Sequence, residues 1–412
     1  MKTTQLKTDI LILGAGIAGY ETFRSLAKQL DRKGIHKHIT IVDKNNFFTF
    51  VPMLHEVAAG AIEPTHCAIP LRELVHKTPH TFFRAEVQSV DPKTKTVQTS
   101  RGPISYEYCV VALGSTTNYF TIPGAGEHTY HVRSLDGAMK LHHDFIEILE
   151  NNPAKRIDLV IVGGGYTGVE VAGQFSDFAT KDIATLYPEH TVNVHIIETT
   201  ELLLNRMPDK VRKRVTERIK KLGVIIHTGK RVIAVEKDAV ILEGNKKIKS
   251  NLTIWTAGFL NIADKYLPKE YVQNGRMPVT QYLTHIADDS LYAIGDNMLL
   301  VDPTKDIPYP QLAEAAHHEG MYVARHIARR YKGKKKFKPF SFHAKGTLMP
   351  VGDWWGVMTI GKYVLFGRTA WWIRRNVYLF FLPGVLRKLK IAIDWTLHSL
   401  GFRFIVDTEH DS

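Results

Sequence analysis

Two copies of one glycine pattern, about 150 residues apart, constrain the fold of this chain more than any other feature. The copies are Gly14-Ala15-Gly16-Ile17-Ala18-Gly19 and Gly163-Gly164-Gly165-Tyr166-Thr167-Gly168. An apolar stretch typical of a β-strand precedes each one, at residues 10–13 and 159–162, and a plausible helix follows. A Gly-x-Gly-x-x-Gly motif between a strand and a helix is the fingerprint of a Rossmann dinucleotide-binding unit. Two copies therefore predict two bound dinucleotides.

An acidic residue at the end of the next strand completes each fingerprint. The β-branched residues 39–42 lead into Asp43, and residues 192–197 lead into Glu198. An acid at this point accepts hydrogen bonds from a ribose of the dinucleotide. Because no Arg directly follows Glu198 to neutralise a 2′-phosphate, the second site is expected to favour NADH over NADPH. The alternative is that both acids are solvated residues at the ends of strands and bind no ligand.

The order of the motifs predicts an α/β fold with two Rossmann-like dinucleotide-binding domains. Buried strands are expected at residues 106–113 and 252–257, where the chain crosses between the domains, and at 290–295, which leads into Asp296. The first domain is therefore interrupted by the second and completed after it. We assign residues 1–130 and 266–330 to the first domain, 131–265 to the second, and 331–412 to a C-terminal region.

Composition narrows the possible partners. Lys and Arg number 54 against 41 Asp and Glu, which gives a formal net charge of +13 and favours an anionic partner. The lysine-rich residues 332–338 are either a solvated linker or a patch facing anionic lipid. Nucleic acid is not expected, because the basic residues are interleaved with aliphatic runs. Cys67 and Cys109 are the only cysteines and form no paired motif, so neither a disulfide framework nor a metal site is expected.

The C-terminal region is basic and amphipathic. Residues 354–393 contain no Asp or Glu, and their basic residues lie among aromatic ones: Lys362, Arg368, Arg374, Arg375, Arg387, Lys388 and Lys390. Pro383-Gly384 interrupts the apolar residues 377–382, so no run approaches the roughly 20 residues that span a bilayer as a helix.

Beyond this break, one helical stripe carries Leu386, Leu389, Ile393, Leu397 and Leu400, with Asp394 and His398 away from it. The pattern predicts a segment that lies on an anionic membrane surface. The alternative is that the stripe packs on the protein's own core or on a dimer partner.

Together these motifs resemble the two-dinucleotide flavoprotein reductases, and within them the type II, non-proton-pumping NADH:quinone dehydrogenases. The likeness covers nearly the whole chain, and its most distinctive segments are Pro52-Met53-Leu54-His55 and Ala370-Trp371. The resemblance implies a respiratory-chain enzyme that transfers hydride from NADH to FAD and passes electrons to a membrane quinone. It also implies a homodimer attached peripherally to the cytoplasmic face of a bacterial-type plasma membrane.

The resemblance further implies which residues hold the cofactors. Asp43 and the first fingerprint would hold FAD, Asp296 would bind its ribityl chain, and the second fingerprint would hold NADH. Glu170 resembles the family glutamate near the flavin and the nicotinamide, although it is equally a first-turn acid stabilised by the helix dipole. The full set of implied cofactor contacts is Gly14, Gly16, Gly19, Asp43, Pro52, Met53, Leu54, Val87, Ala112, Gly114, Asp296, Ala313, Gly163, Gly165, Tyr166, Thr167, Gly168, Glu198 and Gly258.

The expected quinone region departs from the family pattern. Where the family has Ala-Gln-x-x-x-Gln, this chain has Ala313-Glu314-Ala315-Ala316-His317-His318. Glu314 and His318 replace the two glutamines, four residues apart and hence on one helical face. Both residue types can hold a proton near neutral pH, so they could protonate a reduced quinone; the alternative is a surface pair. Lys388 resembles a family lysine near the quinone.

The cysteine content distinguishes this chain from two related groups of flavoprotein reductases. Disulfide reductases of this architecture need Cys-x-x-x-x-Cys beside the flavin, and sulfide:quinone reductases need cysteines in both halves, which Cys67 and Cys109 do not supply. Two other functions stay open. One is a soluble NADH-dependent flavoprotein reductase of a redox protein partner, which would work without the residues beyond about 365. The other is a flavoprotein that uses NADH-dependent conformational change for binding or signalling.

Overall fold

The structure, a computed structural model, describes residues 6–399 and 403. The chain divides into two compact units. Unit 1 takes the chain up to Thr49, Ile69–Thr116 and Phe259–Ala344, and unit 2 takes Phe50–Ala68, Thr117–Gly258 and the chain from Lys345. These units differ from the expected domain boundaries in several places: residues 50–68, 117–130 and those from Lys345 onward fall in unit 2, and residues 259–265 and 331–344 fall in unit 1.

The strands, numbered in chain order, are β1 (Leu6–Leu13), β2 (Ile39–Asp43), β3 (Phe47–Thr49), β4 (Ala68–Pro70), β5 (Thr81–Arg84), β6 (Val87–Asp91), β7 (Thr96–Thr99), β8 (Gly102–Val111), β9 (Ser115–Thr117), β10 (Arg156–Val162), β11 (Thr191–Ile197), β12 (Ile225–His227), β13 (Val232–Glu236), β14 (Ala239–Leu242), β15 (Lys246–Lys249), β16 (Leu252–Trp255), β17 (Phe259–Asn261), β18 (Met277–Pro278), β19 (Thr284–His285), β20 (Asp288–Ala293), β21 (Met298–Leu299), β22 (Val301–Asp302), β23 (Ile307–Pro308), β24 (Gly346–Pro350), β25 (Gly356–Ile360) and β26 (Tyr363–Gly367).

The helices are α1 (Ile17–Arg32), α2 (Leu54–Ala58), α3 (Leu71–Val75), α4 (Leu135–Asn151), α5 (Tyr166–Phe178), α6 (Ala184–Leu186), α7 (Asp209–Lys221), α8 (Ala313–Arg330), α9 (Arg368–Phe381) and α10 (Val385–Ser399). Short 3-10 turns cover Val51–Met53, Pro64–Cys67, Ala263–Lys265, Lys269–Tyr271 and Gly295–Asn297. None of the helices described is both long and apolar enough to cross a membrane.

Unit 1 is built on a sheet of order β19-β20-β8-β1-β2-β5, to which β7 adds beside β8 and β6 beside β7. Strands β20, β8, β1, β2 and β5 run parallel to one another, and β19 pairs with β20 in the antiparallel direction. Residues 10–13 of β1 are fully buried at its centre. Parallel strands covered on both faces require continuous apolar runs, which is the pattern that the sequence carries here.

Unit 2 contains a second, smaller parallel sheet of order β12-β11-β10-β16. An antiparallel sheet of β13, β14 and β15 accompanies it, and β24, β25 and β26 form a separate antiparallel meander against which α9 packs. The strands predicted around both fingerprints are confirmed, with β2 ending at Asp43 and β11 ending one residue before Glu198. The sequence-predicted α/β class with two Rossmann-like sheets is confirmed.

Candidate functional site

The first fingerprint forms the turn between β1 and α1. Gly14 has φ +92°, and a Cβ there would lie 2.3 Å from the carbonyl oxygen of Ala112, so only glycine fits. Gly19 packs equally tightly, because its Cβ would meet the Gly14 carbonyl. Gly16 differs, since a Cβ there would meet no protein atom within 4 Å. Protein packing does not require glycine at position 16, which suits the close approach of a pyrophosphate instead.

Asp43 closes this turn from the end of β2. One carboxylate oxygen accepts a hydrogen bond from the backbone N–H of Ala15 at 2.7 Å, and the other accepts from Asn45 at 2.8 Å. Burial raises the pKa of Asp43, while these backbone donors and the Lys44 charge act against that rise. Asp43 therefore holds the glycine turn in addition to its predicted role beside the ribose.

The second fingerprint repeats this geometry in unit 2. A Glu198 oxygen accepts from the backbone N–H of Gly164 at 2.7 Å, and its other oxygen accepts from the Thr200 backbone at 2.8 Å. Gly165, like Gly16, has no protein atom within 4 Å of the place a Cβ would take. Among the hydrogen bonds and ion pairs described for Glu198, every partner is neutral. The two predicted strand-end acids are thus built the same way.

The remaining residues predicted for the second site lie around this turn. Gly163 and Gly168 are closely packed, as Gly14 and Gly19 are. Tyr166 and Thr167 begin α5 and are exposed, with the Tyr166 hydroxyl 2.7 Å from the Met207 sulfur. Gly258 has φ +67°, and a Cβ there would meet the Phe120 ring.

A tight turn in unit 1 follows strand β20. Asp296 accepts a hydrogen bond from the Ser115 hydroxyl at 2.5 Å, and the fully buried Asn297 bonds both backbone groups of Gly114. Gln311 donates its side-chain N–H to the Asp296 carbonyl at 3.1 Å. Asp296 thus lies at the carboxyl end of a parallel strand, where ligands of such sheets bind.

Glu319 belongs to the same turn and was not predicted. It is buried on α8, and one of its oxygens accepts the backbone N–H of Gly295 at 2.6 Å. Burial raises the pKa of Glu319 to about 8, and the nearby Asp296 charge adds to the rise. A carboxyl group that is protonated at neutral pH therefore supports the Asp296 turn.

The other positions implied for the first cofactor are spread along unit 1 and the start of unit 2. Val87 and Ala112 are buried, Gly114 has φ +75°, and Ala313 is exposed at the first turn of α8. In unit 2, Pro52, Met53 and Leu54 form a 3-10 turn that runs into α2, with Met53 and Leu54 buried.

A buried ionic cluster lies directly after this turn. Glu56 is 3% exposed, and its two oxygens take donors from two helices: Arg374 Nη1 of α9 at 2.6 Å and Trp395 Nε1 of α10 at 2.7 Å. Burial alone would raise the pKa of Glu56, but the charges around it, that of Arg374 foremost, and the hydrogen bond from Arg374 together outweigh burial and lower the pKa to about 2. Arg374 also donates to the carbonyl of Pro52 at 3.2 Å. Glu56 is therefore a fixed anion that ties both C-terminal helices to residues 52–56.

Glu170, the predicted catalytic glutamate, lies beside this cluster on α5. One Glu170 oxygen is 3.9 Å from Nδ1 of His55, and the side chain is 17% exposed. Burial raises the pKa of Glu170 to about 8 against the opposing charge of Arg374. Glu170 is thus a proton-holding group near neutrality, which a solvated first-turn acid would not be.

The placement of Arg374 and Arg375 corrects one expectation from the sequence. Both were expected among surface cations facing lipid, yet they are 1% and 4% exposed. Arg374 pairs with Glu56, and Arg375 stacks 3.5 Å above the Trp371 ring and 4.6 Å from that of Trp395. A buried guanidinium needs such partners, because desolvation of an unpaired ion is costly.

The apolar stripe predicted for the C-terminal helix faces away from the protein. On α10, Leu386, Leu389 and Ile393 are 75%, 54% and 56% exposed, and Leu397 is exposed as well, whereas the predicted Leu400 lies outside the described residues.

The polar side of the same helix faces inward. Asp394 pairs with His66 at 2.5 Å, and His398 pairs with Asp353 at 2.9 Å. Within the described residues, the alternative that the stripe packs on the protein's own core is therefore wrong.

The residues predicted for the quinone end occupy two helices. Glu314 and His318 both lie on α8, half-buried, and the His318 ring is 5.6 Å from that of Phe342. Lys388 on α10 donates to the carbonyl oxygen of Phe380 at 3.3 Å. The roles of these three residues stay predictions.

The buried roles that sequence reasoning missed belong to residues that are charged or ionisable: His55, Glu56, Arg374 and Glu319. Each has a polar or charged neighbour along the chain, so the local sequence gives no signal of burial. Charged residues are almost never fully buried unless they are paired, and the partners become visible only in the fold.

The two cysteines do not form a disulfide with each other in the structure. Cys67 and Cys109 are both free and buried, and burial raises the pKa of each thiol. A buried thiol with a raised pKa is a poor nucleophile, because the thiolate is the reactive form.

Comparison with known proteins agrees with this geometry. The model of the pyridine nucleotide-disulphide oxidoreductase family matches residues 8–320. A type II NADH:quinone oxidoreductase of Staphylococcus saprophyticus is 24% identical over 384 residues, covering 90% of this chain and 94% of that protein. The solved structure of NDH2 from Plasmodium falciparum in complex with NADH is similar in fold, with a TM-score of 0.88 at 22% identity over 97% of this chain and 99% of that one.

A sulfide:quinone oxidoreductase from Aquifex aeolicus has a TM-score of 0.75 at 16% identity, covering 95% of this chain and 93% of that one. Shared fold at such low identity does not by itself decide the chemistry. The family model, however, spans about three quarters of the sequence. The chain therefore belongs to the pyridine nucleotide-disulphide oxidoreductase family.

Proposed function

We propose that this protein is a type II NADH:quinone oxidoreductase, a peripheral membrane flavoprotein that oxidises NADH and passes two electrons to a membrane quinone without pumping protons. The proposal rests on two matching glycine turns, each closed by an acid at the end of a strand, and on the apolar stripe that helix α10 exposes. The curated relatives that share most of the chain's length carry this activity in their names. A homodimer at the cytoplasmic face of the membrane is part of the proposal.

The residues of unit 1 fit FAD. Gly16 leaves room beside the N-terminus of α1 for a pyrophosphate, Asp43 is placed for a ribose, and Asp296 for the ribityl chain. Bound FAD supplies the acceptor for a hydride and a store for two electrons.

The residues of unit 2 fit NADH. Gly165 leaves the same room at the N-terminus of α5, and Glu198 presents an unneutralised carboxylate to the ribose. A 2′-phosphate next to that carboxylate would meet like-charge repulsion, so NADH is preferred over NADPH.

The protons that a reduced quinone requires are assigned to the ionisable groups described above. Glu170 holds a proton at neutral pH, and Glu314 and His318 are candidates on α8. Lys388 stays a candidate for contact with the quinone. Sulfur chemistry is not part of the proposal, because both thiols are buried and protonated.

The exposed stripe of α10 supports membrane attachment. Leu386, Leu389 and Ile393 present their side chains outward, and basic residues flank them. An amphipathic helix of this kind lies in the interface of a bilayer with its apolar face inserted. A lipid-soluble quinone is then reached from the membrane surface.

The test separates membrane attachment from the chemistry. The FAD-loaded full chain is compared with a variant carrying Leu386→Ser, Leu389→Ser and Ile393→Ser, using NADH with a short-chain quinone in solution and with a long-chain quinone in vesicles. We expect both proteins to reduce the soluble quinone, and the variant to lose at least about tenfold in turnover on vesicles, because three apolar side chains no longer insert. Leu186→Ser, an exposed leucine on α6, is the matched control.

Point substitutions are preferred to truncation because of the buried cluster. Removing every residue after Phe366 would also remove Arg374 and Trp395 and leave Glu56 without its partners. Bleaching of the flavin by NADH with no turnover on any quinone would contradict the proposal. Rapid reduction of a soluble redox protein in that case would favour the alternative reductase.

A further inference from the structure

His55 is a buried histidine to which the proposed function assigns no role. It lies in unit 2 among three ionisable groups: Nε2 is 3.3 Å from Arg374 Nη2 and 3.7 Å from a Glu56 oxygen, and Nδ1 is 3.9 Å from a Glu170 oxygen. The side chain is 4% exposed, so neither ring nitrogen is freely accessible to water as a hydrogen-bond partner. These neighbours therefore decide which ring nitrogen of His55 carries the proton, and Arg374 is the one within hydrogen-bond distance.

The contact with Arg374 fixes that proton. A guanidinium group can only donate hydrogen bonds, so Nε2 of His55 must accept and the ring proton must lie on Nδ1. Burial and the Arg374 charge lower the pKa of His55 to about 3, which excludes a second proton at neutral pH. His55 is thus a neutral ring that can only donate toward Glu170.

Arg374 is itself held rigidly, so the orientation of His55 is imposed by the fold. Glu56 binds Arg374 Nη1 at 2.6 Å, the Pro52 carbonyl binds Nη2 at 3.2 Å, and Trp395 holds the other Glu56 oxygen. Hydrogen bonds at both terminal nitrogens restrict the orientation of the guanidinium group, whose Nε has no hydrogen-bond partner in the described structure.

Glu170 is the group that needs a donor. Burial raises its pKa to about 8, so it carries a proton at neutral pH and becomes a half-buried carboxylate once the proton leaves. The ionisable groups that reach it in the described structure are His55 and Glu56 from α2 and Arg374 and Tyr378 from α9. Of these, His55 places its Nδ1 3.9 Å from the Glu170 oxygen.

We propose that His55 is a positioning residue for Glu170, locked by Arg374 with its proton on Nδ1, and that it donates this N–H to the Glu170 carboxylate whenever Glu170 has released its proton. Glu170 gives one proton to the reduced acceptor and takes one back from solvent, while His55 keeps its own proton throughout. The destination of the Glu170 proton rests on the proposed function; the hydrogen bond does not.

The experiment titrates Glu170 directly in the FAD-loaded full chain without substrate. The infrared C=O band of the protonated Glu170 carboxyl is followed against pH and identified by its loss in Glu170→Gln. In His55→Leu the donor is gone, so the midpoint should rise by about 0.5 to 1 pH unit. In His55→Asn the side-chain NH₂ replaces the Nδ1 donor, and the midpoint should return to that of the wild type. His142→Leu, at a half-buried histidine of the same unit, is the control.

Two results would overturn the inference. One is an unchanged Glu170 midpoint in His55→Leu, and the other is a His55→Asn midpoint that moves with His55→Leu. If His55→Leu does not hold FAD, the assignment of the ring proton to Nε2 in ¹⁵N spectra of the wild type would equally refute it. If the wild type reduces no quinone, the proposed function is refuted, but the pH titration of Glu170 can still be measured and still tests the role of His55.

Discussion

Glu319 illustrates how the surroundings of one side chain change its charge. Burial raises its pKa to about 8 from an ordinary 4.5, so the folded protein binds a proton there that the unfolded chain releases. Between these two pH values the folded state holds more protons, and stability must therefore fall as pH rises. The loss is complete above the folded pKa.

We predict that Glu319→Gln removes this dependence. In the wild type the free energy of unfolding should fall by about 1.4 kcal/mol per pH unit from this group between pH 4.5 and 8. Gln keeps an oxygen for the Gly295 N–H but has no proton to lose. Urea denaturation of the FAD-loaded protein at pH 6 and pH 8 measures the slope, with the exposed Glu86→Gln as control. Equal slopes in wild type and Glu319→Gln would contradict the prediction.

At the scale of elements, the two strand–turn–helix units differ in what they bind and not in how they are built. Gly16 has φ −68° and Gly165 has φ −77°, which any residue adopts, and neither would bring a Cβ against protein. Their glycine is explained by a ligand alone. A substitution at either glycine should therefore affect only the dinucleotide proposed to bind at that turn.

We predict that alanine at the two positions gives separate defects. Gly16→Ala should fold with an unchanged melting temperature without cofactor but retain FAD at least about tenfold more weakly, because the methyl group meets the pyrophosphate. Gly165→Ala should retain FAD and raise the KM for NADH by a similar factor. Flavin absorbance after dialysis and steady-state kinetics check both. A folding defect in either variant, or an effect on the other cofactor, would refute the assignment.

The same comparison explains which parts of the site the sequence could reveal. Asp43 and Glu198 were predictable because each lies at the end of the strand that follows a glycine turn within one strand–helix–strand unit. The Glu56–Arg374 pair was not, because 318 residues separate its members and both residue types are ordinarily exposed. Only the folded chain brings them together, so the sequence indicated the cofactor turns and missed the cluster beside Glu170.

At the scale of the whole molecule, the surplus of positive charge is the property that acts over distance. Of the seven basic residues in the acid-free C-terminal stretch, Arg374 and Arg375 are buried, where Arg374 pairs with Glu56 and Arg375 stacks on Trp371. The remaining five are exposed or half-buried: Lys362, Arg368, Arg387, Lys388 and Lys390. Each such charge near an anionic surface contributes about 1 kcal/mol.

We predict that attachment to anionic vesicles depends strongly on salt. Raising NaCl from about 0.1 M to about 0.5 M shortens the screening length to roughly 4 Å, which should weaken binding by at least about tenfold. Cosedimentation with vesicles of anionic lipid measures this, and neutral vesicles are the control, since only the apolar contribution of α10 acts there. Binding that is indifferent to salt would leave the apolar stripe as the sole source of attachment.

The bonds from Asp43 and Glu198 to their own glycine turns bear on how the protein acquires its ligands. Each turn already donates one backbone hydrogen bond to the acid before any nucleotide arrives, and a backbone N–H two residues after the acid fixes its other oxygen. The free energy of binding is then not reduced by the conformational entropy that would be lost if the loop became ordered only on binding. Such preorganised turns should capture a dinucleotide on first encounter, so the newly folded chain can be loaded at a rate set by collision and not by loop closure.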